Sequence, residues 1–519
     1  MRAMIRSGLL LALSWAPVAT ATGQSDLPNV LLILGADHAV QSLGAYGSPL
    51  AATPHLDRLA AGGVVFTRAY ANCPLDVPSR LSMLTGLYPH AIAVSRSTAR
   101  LEDRFPTIAD GLALVGRASY VLGASYLPTT LDRDLRAPIH GFFAPFDRQM
   151  LAEAQRRQGP SSIPPEVQVK PLAALFRHPT RLWLNADNQP MGLNEVDSES
   201  HRLAEEGVDW IRRLVGREQT PFFLVVGFEK PSAPFDFPAD FRPDGRGPFR
   251  ADEFAAPPFS PEDSAELPVV FRELTDEDKR GVIAAYYNEV AFLDRSIGIL
   301  LDGLEREGVA DRTLVIYAAN NGYLLGEHGR FEKHSLHEPA VRVPLIMRWP
   351  GLLPAGVRRD ALVELVDIAP TIAEAAGAPR TPRIAGRSLL ALARGEVASV
   401  RPFVFSEYLE TESATIRDER FKLIYSTGKG LDMFRAQHRW SERRVRLFDL
   451  VEDPGETRNL AGESEHAARV ASLKRTLHDR FLEAEPGGVG LPEDVTIEER
   501  LDLFLVPREV WRELGWRWR

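Results

Sequence analysis

The chain has 519 residues, 45% hydrophobic and 25% charged, with no low-complexity tract and no short repeat; this excludes a disordered or fibrous protein and supports one large globular domain with an appendage, or two to three ordinary domains. Its formal net charge of −9 disfavours nucleic acid or an anionic membrane as the main partner, so an anionic ligand needs a local cluster of arginines and lysines. The single cysteine, Cys73, rules out an internal disulfide and leaves stability to the core.

Residues 1–21 open with Arg2 and Arg6, continue as an apolar run and end in the small residues Ala19-Thr20-Ala21, which reads as a signal peptide. The apolar part is too short to cross a membrane, and Pro17 breaks it as a buried helix. No later stretch approaches ~18 apolar residues, so the expected product is exported, periplasmic or secreted, with no membrane span.

From residue 29 the chain alternates strand and helix patterns. "NVLLILGAD" is a short apolar run ending in a polar residue, as a buried parallel strand does, and "ASYVLGAS", "PFFLVVGF", "RTLVIYAANNG" and "VPLIMRWPG" repeat the pattern. Asp76, in "NCPLDVPSRLSMLTG", stands where a short helix begins. The clearest helix is "NEVAFLDRSIGILLDGLEREG", with Val290, Leu293, Ile297, Leu300 and Leu304 on one face and Gly308 as its stop. Such alternation predicts an α/β fold, a mostly parallel doubly wound sheet covered on both faces, with ligands bound beyond the carboxyl ends of the strands.

Asp37-His38 and Asn320-Asn321-Gly322 close two of those strands, and Asp76 sits where helix N–H groups favour an anion. Taken singly, each has an ordinary reading: Asp76 as a helix cap, Asn-Asn-Gly as a turn.

Longer blocks carry more. "NVLLILGAD…GAYGSPLAATPHLDRLAAGGVVFTRAYAN…PSRLSMLTGLYPH" resembles the amino-terminal half of the sulfatase family, and "LGEHGRFEKHSLHEPAVRVPLIMRWPG", "LVELVDIAPTIAEAAG" and "RLFDLVEDPGETRNLA" resemble its later blocks. "PFFLVVGFEKPSAPF" and "AYYNEVAFLDRSIG" look most like the iduronate-2-sulfatase branch. The resemblance covers roughly residues 28–465 and implies the alkaline phosphatase superfamily fold. Its expected division is a signal peptide over 1–21, a catalytic-type domain over 28–390, and a smaller α+β subdomain with tail over 391–519, whose antiparallel strands would come from "DERFKLIYSTGKG" and "VRLFDLVEDPGE".

The same resemblance puts activity in doubt. Sulfatases mature the first residue of C-x-P-S-R to formylglycine; here that residue is Asp76, in "DVPSR", and Cys73 is not followed by the motif. The family's G-K-W-H block reads "GASY", with Ala124 for the lysine and Tyr126 for the histidine, and Ser232 replaces the histidine of K-P-H. Loss of a general acid costs ~10²–10⁴ in rate, and loss of a charged clamp a comparable amount. In the metal set the second aspartate is His38 and the later aspartate is Asn320, while Asp37, Asp76 and Asn321 remain. Calcium wants hard, charged oxygens, so the expectation is weak or absent calcium. Two arrangements stay open: a transition ion on His38, Asp37 and Asp76, or Asp76 paired with Arg80 or Lys333.

Arg80 and Lys333 match basic residues of the family, and Lys230 ends the strand "GFEK"; each either holds an anion or pairs with Asp76 or Asp37. His334 and His337 are the histidines expected to reach the pocket. Residues 128–200 match no family block and would shape its mouth; the basic, aromatic tail "REVWRELGWRWR" would pack on the body. Two functions follow: a degenerate, exported sulfatase homologue that binds sulfated saccharides or another small anionic ester, or a hydrolase of sulfate or phosphate esters that uses Asp76 and a non-calcium metal.

Overall fold

The computed structural model describes residues 27–97, 99, 101–102, 104–123, 139–142, 180–190, 194–217, 221–243, 247–380, 384–428, 443–484 and 495–506. Residues 1–21, expected to be a signal peptide, most of 128–200 and the tail lie outside the described residues, as do Ala124 and Tyr126.

Among the described residues, nine strands form the main sheet: β1 (Asn29–Gly35), β2 (Val64–Tyr70), β3 (Ser119–Gly123), β4 (Ile139–Phe142), β5 (Phe223–Gly227), β6 (Thr313–Ala319), β7 (Arg342–Val343), β8 (Leu345–Arg348) and β9 (Val357–Glu364). Their order is β4-β3-β5-β1-β6-β8-β2-β7, with β9 also paired to β2. β1 is central and parallel to both neighbours, Leu32 standing opposite Val225 and Ile316. The run "VPLIMRWPG", read as one more parallel strand, instead supplies β8, which is antiparallel to β6 and β2. A buried strand on a mixed sheet carries the same apolar run whichever way it points, so composition does not give its direction.

Alternation places successive side chains of each central strand on opposite faces. Val30, Leu32 and Leu34 join one core with Leu314, Ile316 and Ala318, covered by α2 (Asp76–Thr85) and by the helix over Ile368–Ala375. Leu31 and Ile33 join the other with Val315 and Tyr317. That face is covered by α1 (Pro54–Ala61), α3 (Glu199–Arg217) and α4 (Asp276–Arg306). The expected helix around Val290 is therefore the carboxyl-terminal part of α4, whose start is fixed by a capping box of Thr275 and Asp278. After α5 (Ile368–Ala375) come β10 (Val404–Tyr408), β11 (Ser413–Arg417), β12 (Phe421–Ser426) and β13 (Arg444–Asp449), a four-stranded sheet, antiparallel throughout. The helix α6 (Ala467–Ala484) packs on it through Leu473, Leu477 and Phe481.

Candidate functional site

β5, β1 and β6 are neighbours in the sheet, so the residues just past their carboxyl ends converge. Backbone bonds prolong the ladder beyond the strands: Ala36 N–H donates to Lys230 O (3.0 Å), Asn320 N–H to Gly35 O (3.1 Å) and His38 N–H to Asn321 O (3.1 Å). Asp37 then takes a left-handed backbone (φ 58°), which aspartate tolerates better than most residues. Tyr286, on α4, pins this turn: its hydroxyl donates to Asp37 O (2.6 Å) and accepts from Ala39 N–H (2.8 Å).

At the centre lies the Lys333 ammonium, donating to Asp37 Oδ1 at 2.9 Å and to Asp76 Oδ1 at 2.6 Å. Asn321 Nδ2 donates to Asp37 Oδ1 (2.9 Å), Ser232 Oγ to Asp37 Oδ2 (2.8 Å) and Asn320 Nδ2 to Asp76 Oδ1 (2.9 Å). Burial opposes the lysine's charge, but the two carboxylates outweigh it and hold Lys333 above the ordinary lysine range. Asp76 is the first residue of α2 rather than its cap, which is Leu75.

Other expected residues go elsewhere. His38 is buried; its Nδ1 shares a 2.5 Å hydrogen bond with Tyr317 OH, and its Nε2 has no partner among the described residues. Gly35 makes room for this pair, since a Cβ there would stand 2.7 Å from the Tyr317 hydroxyl. Lys230 is an ion pair with Asp236 and with Glu289 of α4. His334 shares a hydrogen bond with Tyr408 OH (3.1 Å), and burial, with the nearby Lys333 charge, pushes its imidazole down to about 3. His337 stacks on His328 and shares a hydrogen bond with Ser335 Oγ. Arg80, one turn beyond Asp76 on α2, is only 2% exposed, and its Nε and Nη1 have no hydrogen-bond partner among the described residues. Cys73 is a buried thiol whose pKa desolvation raises.

The sulfatase family matches residues 28–378, and the family described as N-sulphoglucosamine sulphohydrolase, C-terminal, matches residues 326–483. The chain belongs to the sulfatase family. A sulfatase of Formosa agariphila is 26% identical to it over 491 residues, 87% of this chain and 86% of the relative. Iduronate 2-sulfatase of Mus musculus is 27% identical over 417 residues, 70% of this chain and 71% of the relative. The solved phosphonate monoester hydrolase of Agrobacterium radiobacter shares the fold, with a TM-score of 0.69 at 24% identity over 88% of this chain and 96% of that one.

Sulfatase-family membership implies calcium, and the donors present do not suit it. Calcium takes six to eight oxygens. Here both Asp37 oxygens accept hydrogen bonds, and Asp76 Oδ1 accepts two. Asn320 cannot turn an oxygen to the acids: its Oδ1 accepts from the backbone N–H of Asp37 (3.1 Å) and Asn321 (2.9 Å), which forces its NH₂ toward Asp76. Asn321 Oδ1 is buried and without a hydrogen-bond partner among the described residues, and one asparagine oxygen does not restore the two missing carboxylates. Nor do His38, Asp37 and Asp76 gather: among the described residues, Glu463, Glu465 and His466 are the one group of at least three such residues with ligand atoms within 4.8 Å of one another.

Sequence reasoning missed Asp236, Glu289, Tyr317 and Tyr408. Glu289 had a signal, because it stands four residues before Leu293 on the inward stripe of α4, where an acid requires a partner. Asp236 had one too, an acid six residues past Lys230; Tyr317 and Tyr408 had none, because their partners come from distant segments.

Proposed function

We propose that this chain is an exported sulfatase-family protein that no longer cleaves esters and binds a sulfated saccharide through its anion site. The observation that supports this is Arg80, a buried guanidinium with two nitrogens lacking hydrogen-bond partners among the described residues. An unpaired buried charge is costly, and a planar fork of N–H donors suits a sulfate. Lys333 and Lys230 already carry carboxylate partners, so Arg80 bears the recognition. The replacements at positions 76, 124, 126 and 232 support loss of turnover. The likeness to iduronate 2-sulfatase, an enzyme named for a sulfated sugar acid, supports a saccharide as the carrier of the sulfate.

Thermal unfolding tests the reading. A sulfated disaccharide at 100-fold its Kd should add about 2.7 kcal/mol of stability, and its unsulfated form none. Arg80→Ala should abolish the difference. Equal shifts with both sugars would remove the anion site, and hydrolysis of the sulfated disaccharide by the purified protein would replace this reading with that of an Asp76 hydrolase.

A further inference from the structure

We propose that the Lys333 ammonium is the resident cation of this centre, standing where the family's resemblance would put a metal, and that the surrounding residues form a set matched to an ammonium and closed to calcium. The inference deepens the reading above, since it concerns the same site, but it stands on different atoms.

Three observations carry it. First, Lys333 Nζ bridges Asp37 and Asp76, the two carboxylates retained from the metal set, at 2.9 and 2.6 Å. An ammonium offers three donors to such a site, whereas a divalent ion would need those same oxygens free. Second, the Asn320 amide is locked by two backbone N–H groups so that its NH₂ faces Asp76. An aspartate at 320 would set a carboxylate oxygen against Asp76, an arrangement that only a strong cation between them would hold. Third, His38, in place of the second aspartate, turns its Nδ1 to Tyr317, and Gly35 supplies the space for that pairing. The replacements at 38 and 320 therefore remove two metal oxygens, and the new side chains take protein partners in their place, His38 Nδ1 with Tyr317 and Asn320 Nδ2 with Asp76. Ser232 completes the set, donating to Asp37 Oδ2.

The test uses the full chain and metal salts alone, without saccharide. The wild-type protein should show no heat on titration with calcium chloride, and its Tm should be the same in EDTA as in millimolar calcium. Lys333→Met leaves two carboxylates facing each other; its Tm should fall in EDTA and recover in calcium but not in magnesium chloride at equal ionic strength, because magnesium keeps its waters. Asn320→Asp should behave the same way, and Lys333→Arg, which keeps the charge, should remain blind to calcium. One calcium per chain in dialysed wild-type protein, or a Lys333→Met variant that folds with unchanged Tm and no calcium response, would overturn the proposal. Should Lys333→Met not fold, the wild-type titration and Asn320→Asp decide. Calcium-bound wild-type protein that still discriminates sulfated sugars sinks this inference and spares the anion site; protein blind to both calcium and sugar does the reverse.

Discussion

Behind Asp37 the chain buries an imidazole that makes one hydrogen bond among the described residues, to Tyr317. Burial pushes the His38 pKa down to about 3. An unfolded histidine takes up its proton near ~6.5, so the unfolded chain binds more protons and stability is lost as pH falls through that value toward 3. The slope is about 1.4 kcal/mol per pH unit for one proton. His38→Gln, whose amide oxygen can accept from Tyr317, should reduce the pH dependence of unfolding by about one proton between pH 6 and 4; denaturant titrations across that range measure it, and an unchanged slope would rule out His38 as the source. A second expectation belongs to position 76. Asp76→Cys rebuilds a maturation motif, yet Ala124, Tyr126, Ser232, His38 and Asn320 still occupy family positions. A matured variant, verified by mass spectrometry, should turn over an aryl sulfate at least ~10²-fold more slowly than an intact sulfatase; turnover within tenfold would show that Asp76 alone sets the present chemistry. At this scale the sequence singled out Asp37, Asp76, Ser232, Asn320, Asn321 and Lys333, which meet, but also His38, Lys230 and His334, which turn to other partners. The direction of His38 follows from a left-handed turn at Asp37, and no residue pattern records a φ angle at an aspartate.

Elements show the same division. The strand runs and the apolar stripe of α4 were legible because period and burial are local properties. The direction of β8 was not, because orientation depends on its neighbours. Acids on the inner face of α4 repeat the lesson. Asp294 stands four residues after Val290 and accepts from the first-turn N–H groups of α1, His55 at 3.0 Å and Leu56 at 2.7 Å. One helix thus caps another, doing for α1 what Thr53, which makes no side-chain cap bond, does not. Asp294→Ala should cost about 2–4 kcal/mol, from buried N–H groups left without an acceptor. Asp294→Asn should recover part of it in the same urea titration, and a cost below 0.5 kcal/mol, roughly a surface value, would exclude the capping role.

Across the whole molecule, the two sheets are joined by a buried ionic knot. Arg401 pairs with Glu364, the last residue of β9, and with Asp367; Glu364 also accepts from Tyr88 OH (2.7 Å) and from Phe405 N–H of β10 (2.6 Å), while Arg480 of α6 donates to Tyr88. Burial pushes Asp367 up to about 6 even against the attraction of Arg401. Removing one partner of such a cluster typically costs about 3–5 kcal/mol, and that is the expectation for Arg401→Met. The sign with pH follows: a carboxyl raised above its unfolded value binds protons in the native state that the unfolded chain has released, so stability falls as pH rises from about 4 through 6. Arg401→Met removes the attraction that limits this rise, so its deficit relative to wild type should be larger at pH 7 than at pH 5. Unfolding at the two pH values checks it; an equal deficit at both would count against Asp367 as the group left uncompensated. Of the carboxyl-terminal strands, β12 and β13 were expected from the family resemblance and β10 and β11 were not; the knot was not legible either, because its members are spread from Tyr88 to Arg480.

Lys333 follows Asp37 by 296 residues and Asp76 by 257. A ribosome adds about 5–20 residues per second, so the acids exist for tens of seconds before their counter-ion has been made. Tyr408, which meets His334, is made later still. The heart of the molecule thus cannot close before residue 333 has been made, and a polypeptide interrupted earlier carries two central acids without the ammonium that bridges them. Mistakes in synthesis would be marked by an unclosed centre, open to quality control, whichever compartment the chain folds in.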